Sequence, residues 1–598
     1  MDDVVDLDLV RRSLSEEARR AFRGRVDEQA AAIREAMAAG AFDNEDFAVG
    51  LEVEVYAINA EPEPVADEAA EDGDEATGDG NEADGPDEAA LDADLSGGGG
   101  AWDGSLEPSV DPAADPVDDQ ASEGRDESGD EREDPRPDAE GPYMDPAEWE
   151  GRLAELPTAV FGGAADKELG LHNAEINTDP DAFTATGLEV QTTSVEMQIK
   201  AARGAADAEH RELVLDAMWT VPPEGGSLPY LSTVEERDGV VVPANMRAAP
   251  RYLAIDNDTV RRADGAVPFE VPGAAHTFPT ILIESLATSI QPHLQVPDVA
   301  AFPDYYNAAI RTLGPVLSLT ANSPFLPGDL YNRVEDPRDL LEETHHELRI
   351  AAFEQSVNTT PNPKVRVPSD IDSPADVVDR VVADDLVAPF LREWIADGAR
   401  NTFADEHWEF DHKRGTYWRW LRCVIGGDPV EGAGDERSLR IEYRPIPTQP
   451  TARDVIACQT FVAGLLRGIV AADHPAAELP WQDAERSFYS AAREGPDADL
   501  AWVTADGRRT TDRAEIYDEL FSLARRGLDE GGVPERRVDE FLDPLERRRA
   551  AGTTPSAWKI ERVREALEDG RDLDEAIAAM QRDYYELSRE ERTFADWL

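Results

Sequence analysis

The chain has 598 residues, with 57 Lys+Arg against 127 Asp+Glu and a formal net charge of −70. A surface this negative argues against nucleic acid or an anionic membrane as main partner, because both are bound through basic patches. Two cysteines, Cys423 and Cys458, supply neither a disulfide framework nor a zinc motif.

In chain order, residues 3–39 are dominated by Ala, Arg and Glu and read as helix. The opening MDDVVDLDLV has no basic region followed by an apolar one, so no secretory signal is expected. The stretch FAVGLEVEVYAI, residues 47–58, reads as a strand. Alternation puts Leu51, Val53 and Val55 on one face and Glu52 and Glu54 on the other, about 7 Å apart. Two adjacent carboxylates mean either a solvated face or a cation held between them.

Residues 61–142 change character. Over 61–140 there are 30 acidic and 3 basic residues, with SGGGG in the middle. Such a segment has too little to bury and too much charge to collapse, and reads as a disordered insertion. From about 145 to 450 short apolar strands (GLHNAEINT, TILIESLATSIQPHLQV, SLRIEYRPI) alternate with helical stretches. DVIACQTFVAGLLRGIVAA spaces its apolar residues as one face of a core helix, and Arg467 interrupts it, so no run approaches the 18 uncharged apolar residues of a membrane span. From 475 onward the chain is mostly helical; TPSAWKIERVREALEDG starts at a Ser/Thr cap and ends at Gly. Mixed strands and helices without strict βαβ alternation give an α+β class. THHELR groups His345, His346 and Glu347 without the HExxH spacing and reads as a helix surface rather than a metal site.

Three further segments place polar groups on strands fit for burial. Glu168 and Glu175 stand seven apart in KELGLHNAEINT; Gln291, His293 and Gln295 share a face in TSIQPHLQVPD; Glu442 and Arg444 share a face in SLRIEYRPI. A sheet face carrying these groups needs a positive partner, and hard oxygen donors suit Mg²⁺ or Mn²⁺ bridging nucleotide phosphates.

The ordered set resembles the glutamate-cysteine ligase superfamily, especially its bacterial and archaeal carboxylate-amine ligase branch. Gly50-Leu51-Glu52-Val53-Glu54 matches its first strand, Glu168 and Glu175 its paired glutamates, His293 its metal-binding histidine, and Glu442-Tyr443-Arg444 its last strand. LTANSPFLPGD (319–329) resembles its Ala-Asn-Ser-Pro-Phe loop and YWRWLR (417–422) its aromatic-Arg segment; the family's Gly-x-His-Pro loop is not evident, and DAMWTVPPEGG stands near its place. The resemblance implies an antiparallel, funnel-like sheet of the glutamine synthetase type with surrounding helices. It implies an ATP-dependent ligase that joins L-glutamate or a similar acid to a small amine, cysteine by default, through an acyl phosphate. In that reading Glu52, Glu54, Glu168, Glu175, His293 and Glu442 hold Mg²⁺ or Mn²⁺ with the ATP, while Arg444, with Arg422 beside it, binds phosphate and stabilises transferred charge. The alternative is a catalytically inactive binding or regulatory module on the same fold. The expected organisation is a helical segment 1–45, a first strand 46–60, the acidic insertion 61–142, a catalytic domain 143–474 and a helical C-terminal region 475–598.

The acidity is global: the insertion accounts for −27 of the −70, and 52 of the 57 basic residues are Arg. This resembles the salt-adapted surfaces of haloarchaeal cytoplasmic proteins, in which ionic strength screens self-repulsion; a cytoplasmic location is expected. Lowering the salt lengthens the screening distance. The protein is therefore expected to unfold on dialysis from molar KCl to ~0.1 M salt, followed by circular dichroism; equal stability in both would refute salt adaptation.

Overall fold

The computed structural model describes residues 5–59, 151–395, 403–426 and 437–598. The acidic insertion expected at 61–142 lies outside them. The N-terminal stretch read as one helix is two: Leu7–Ser13, then α1 (Glu16–Ala38). Ser15 breaks it, its side chain capping the second helix at the Ala18 amide.

One antiparallel sheet organises the chain. Its strands are β1 (Ala48–Asn59), β2 (Asp166–Lys167), β3 (Asn173–Asn177), β4 (Asp181–Ala182), β5 (Arg211–Val214), β6 (Ile290–Val296), β7 (Leu421–Ile425) and β8 (Leu439–Tyr443). They run in the order β7-β8-β6-β1-β3-β2, and β4 and β5 also pair with β1. The sheet is curled into a half-barrel surrounded by helices, which is the α+β, funnel-like class expected. Central β1 has the predicted alternation. Val49, Leu51, Val53, Val55 and Ala57 are fully buried in the main core, together with Ile290 and Leu294 of β6 and Ile441 of β8. Glu52 and Glu54 take the opposite face.

TILIESLATSIQPHLQV does not form a continuous strand. Residues Ile281–Leu286 are a 3-10 helix that Thr280 caps at the Leu282 amide, and the strand begins at Ile290. Thr280 also donates to the buried Asp256, and this anchoring ends the extended run.

The helices that matter most to the site are α2 (Pro250–Arg262), α3 (Phe302–Thr320), α4 (Leu348–Val357), α5 (Ala452–Ala471), α6 (Arg513–Glu530), α7 (Pro555–Glu568) and α8 (Leu573–Glu590). Among the described residues α5 is the one helix long and apolar enough to cross a membrane, but 83% of its apolar window is buried inside the protein, so it is a core helix. It packs on α6 almost backbone to backbone. A Cβ on Gly468 would lie 1.8 Å from the Leu523 carbonyl oxygen, and one on Gly527 would lie 1.9 Å from the Gly464 oxygen.

The C-terminal helices are tied to the sheet end through buried Asp216. Lys559 of α7 pairs with it at 2.5 Å, Gln581 of α8 donates to it at 2.8 Å, and Asn322 donates at 3.2 Å. Asn322 belongs to the Ala-Asn-Ser-Pro-Phe loop, whose Asn322 amide and Ser323 hydroxyl are both held by the Glu347 carboxylate. Glu347 is therefore not on a helix surface. It is fully buried just ahead of α4, because its carboxylate is the acceptor those loop donors and Arg349 require.

Replacing Gly468 by Ala forces a methyl against rigid backbone. It should lower the unfolding free energy by about 1–3 kcal/mol, read from denaturant titration in molar KCl; an unchanged midpoint would mean that α5 and α6 yield freely.

Candidate active site

Strand register decides which polar groups meet. Glu54 of β1 stands opposite Glu175 of β3, Glu52 opposite Gln291 of β6, and Gly50 opposite His293. His293 in turn stands opposite Glu442 of β8, which is opposite Arg422 of β7. The polar face therefore changes from carboxylates at β1 and β3 to arginines at β7 and the end of β8.

The carboxylates converge. Glu54, Glu168 and Glu175 each present an oxygen within 4.8 Å of the other two. Each is also oriented. Glu54 accepts from the Ser289 amide at 2.6 Å and from Gln291 Nε2 at 3.2 Å; Glu168 accepts from the Leu169 amide at 3.1 Å; Glu175 accepts from Asn177 at 3.0 Å. Three acidic oxygens at this spacing fit one hard divalent cation, with sites left over for phosphate or water.

Glu52 and Glu442 stand deeper. Glu52 is 1% exposed, and its Oε1 lies 3.2 Å from His293 Nε2 without the alignment of a hydrogen bond, so that oxygen accepts none among the described residues. Glu442 is fully buried and receives hydrogen bonds from Arg422 and Arg444. Arg444 also donates to Gln291 Oε1, which joins the basic side of the cavity to Glu54. Of the six predicted ligands, three thus gather at one point. Glu52 pairs with His293 next to them, and Glu442 is held by the two arginines predicted beside it. Gln295 turns away to the Asp46 carbonyl.

The electrostatics follow from burial and like charge. Burial, then Glu54 and Glu284, pushes the Glu168 carboxyl up to about 8. Burial, then Glu52 and Glu168, raises Glu175 well above the usual carboxylate range. Burial also raises Glu54 against the pull of Arg444 and Arg349. Glu442 behaves oppositely: burial opposes its ionisation, but Arg422 and Arg444 outweigh it and hold the carboxyl below the ordinary range. Burial and like charge thus dominate at the three grouped carboxylates, and arginine pairing at Glu442.

Of the residues predicted for the site, all but His293 and Glu442 line one cavity, enclosing about 90 Å³. Its remaining walls include Arg251, Tyr252, Phe353, Trp418 and Glu284. Of these five only Trp418, in YWRWLR, falls in a motif singled out from sequence. Glu284, whose carboxyl burial and Glu54 also push up to about 8, lay hidden in a segment read as strand. A separate cavity of about 260 Å³, between Arg23, Asp27, Asp384 and Lys413, gathers none of the predicted residues.

The model of the family described as glutamate-cysteine ligase family 2 matches residues 138–582. Among solved structures, the chain is similar to the glutamate–cysteine ligase of Francisella tularensis in complex with AMP, at 11% identity and a TM-score of 0.44, over 92% of this chain and 90% of that one. It is also similar to the bifunctional glutathione synthetase of Pasteurella multocida, at 13% identity and a TM-score of 0.43, over 94% of this chain and 55% of that one. No curated protein matches it in sequence.

Raised carboxyls make the folded state hold protons that the unfolded chain, near 4.3, has released. Their stabilising contribution is complete below about pH 4 and is lost as the pH rises through about 8. Glu442, held low, contributes in the opposite sense, and only below about pH 4 is that contribution lost. The melting temperature of metal-free protein in molar KCl should therefore fall between pH 5 and 8.5. Glu168→Gln, which cannot ionise, should show a shallower fall; an identical slope would mean that Glu168 is not held protonated.

Proposed function

The chain belongs to glutamate-cysteine ligase family 2, a family of carboxylate-amine ligases, and from that premise we propose that it is an ATP-dependent ligase acting in the cytoplasm. It forms a γ-glutamyl amide from glutamate, or a similar acid, and an amine, cysteine by default. The observation that carries this reading is the meeting of Glu54, Glu168 and Glu175 at one point in a cavity whose other side is built from Arg422 and Arg444. Carboxylates alone would suit a cation store, and arginines alone an anion site. The two together suit a phosphoryl group that must be neutralised from one side and held from the other.

Glu54, Glu168 and Glu175, with Glu52 and His293 next to them, are the residues to hold Mg²⁺ or Mn²⁺; bound there, the ions supply charge neutralisation of the ATP phosphates and alignment of the γ-phosphate with the acid. Arg444 presents its guanidinium to the transferred phosphoryl group. Glu442 and Gln291 fix that guanidinium, so little reorganisation is needed when charge develops. Arg422, fully buried against Glu442, keeps the Glu442 carboxylate charged and so keeps Arg444 in place. The γ-phosphoryl passes to the acid, giving an acyl phosphate; the amine then adds to its carbonyl carbon and phosphate leaves.

In molar KCl with Mg-ATP and glutamate, an amine-dependent release of ADP is expected. Glu54→Gln and Glu175→Gln should each reduce it by about two orders of magnitude or more, as loss of charge neutralisation implies. Both should also abolish the rise in melting temperature that Mg-ATP gives the unaltered protein, since a ligand bound only to the folded state stabilises it. A native protein that neither releases ADP nor shifts its melting with Mg-ATP would favour the inactive binding module instead.

A further inference from the structure

The cavity holds a carboxylate that the proposed chemistry leaves unused. Glu284 is half-buried on the 3-10 helix Ile281–Leu286 and lines the same cavity as Glu54 and Arg444. It is not one of the three carboxylates that meet at a point. Its side chain accepts no hydrogen bond from any described residue, whereas Glu54, Glu168, Glu175 and Glu442 each accept at least one. The cations whose charge reaches it are committed elsewhere: Arg444 to Glu442 and Gln291, and Arg349 to Glu347 and the Pro445 carbonyl.

Its surroundings define what would complete it. In a 3-10 helix, residues three apart lie on the same face, so Glu284 stands directly beside Ile281. Ile255, Phe353 and Val357 contribute to the same cavity wall. The Glu52 Oε1, which faces His293 and accepts no hydrogen bond among the described residues, also borders the space. A carboxylate next to hydrocarbon and without a donor is unfavourable until a cation arrives. The complement to a single carboxylate flanked by an apolar wall is a compact cation attached to hydrocarbon, which describes a protonated amine better than a bare metal ion.

Resting on the ligase reading above, we infer that Glu284 binds the ammonium group of the amine substrate, and that the acceptor is a primary amine whose apolar body packs against Ile255, Ile281, Phe353 and Val357. This places the nitrogen between the carboxylates and Arg444, where the acyl phosphate forms. Loss of one proton from the ammonium to solvent frees the nitrogen lone pair, which makes the N–C bond, and the C–O bond to phosphate breaks with its electron pair on the phosphate. Of the two protons the ammonium gives up, one goes to the departing phosphate and the other to solvent. Glu284 holds and orients the nitrogen, and it need carry neither proton.

Hydroxylamine separates this inference from the reading on which it rests, because it is largely uncharged at neutral pH and captures an acyl phosphate as a hydroxamate. The full chain in molar KCl, with Mg-ATP and glutamate, is given hydroxylamine or, in parallel, cysteine, ethylamine and putrescine. Glu284→Gln should raise the KM for the best amine at least tenfold, the scale of a hydrogen bond to a charged group, and lower the ratio of amide to hydroxamate by a similar factor. Glu284→Asp, which keeps the charge but withdraws it, should lie between, and it carries the test if the Gln variant does not melt cooperatively. Equal loss of hydroxamate and amide would move Glu284 among the phosphate-aligning carboxylates and overturn the inference. An unchanged KM would overturn it too, as would an unaltered protein that makes hydroxamate yet accepts none of the three amines. Absence of hydroxamate from the unaltered protein would overturn the ligase reading and this inference with it.

Discussion

Burying several carboxylates on one face of a sheet is the constraint around which this protein is built. In water the groups would be screened and cheap to ionise; inside, each raises its neighbours. The structure meets this in two ways. At Glu442 it supplies two arginines, and the carboxyl stays ionised. At Glu54, Glu168 and Glu175 it supplies only amide and hydroxyl donors, and the carboxyls rise. That contrast separates Glu442, hydrogen-bonded by two arginines, from three grouped carboxylates that accept hydrogen bonds from no cation.

Holding such a site open requires a stiff frame, and the frame is also polar. Asp216, Asn322 and Glu347 form a buried relay that joins the sheet end, the loop after α3, the start of α4 and the two C-terminal helices. Each of its two carboxylates has a cation beside it, Lys559 at Asp216 and Arg349 at Glu347, which distinguishes them from Glu54, Glu168 and Glu175 in the cavity. Buried polar pairing of this kind fixes geometry. The nearly backbone-to-backbone contact of α5 and α6 adds rigidity behind the sheet, where glycine is the residue that fits.

The excess of acid has two unrelated origins. Among the described residues most acidic side chains lie at the surface, where salt screens their mutual repulsion. The site carboxylates are few and cannot be told from the rest by residue type. What separates them is burial together with alternation on a strand.

The sequence by itself determined a good deal. The alternation of β1 and the apolar spacing of α5 are local properties, and both appear as read. The short motifs that carry Glu52, Glu54, Glu168, Glu175, His293, Glu442, Arg422 and Arg444 also stand out locally, because their alternate residues are committed to the core. Tertiary structure alone decided which of them meet. Antiparallel register sets Glu54 against Glu175 and His293 against Glu442, and nothing in a linear chain encodes that offset. It also decided the state of Glu442, since two arginines arrive from different places to bind it. Glu284 and Glu347 were misplaced for one reason: a side chain's environment is set by residues far away in sequence. The cap at Thr280 turned one presumed strand into a 3-10 turn, and the donors of a distant loop drew Glu347 inward. Local pattern fixes which face a residue takes, whereas the low dielectric and the partners that set its chemistry exist only once the chain has folded around it.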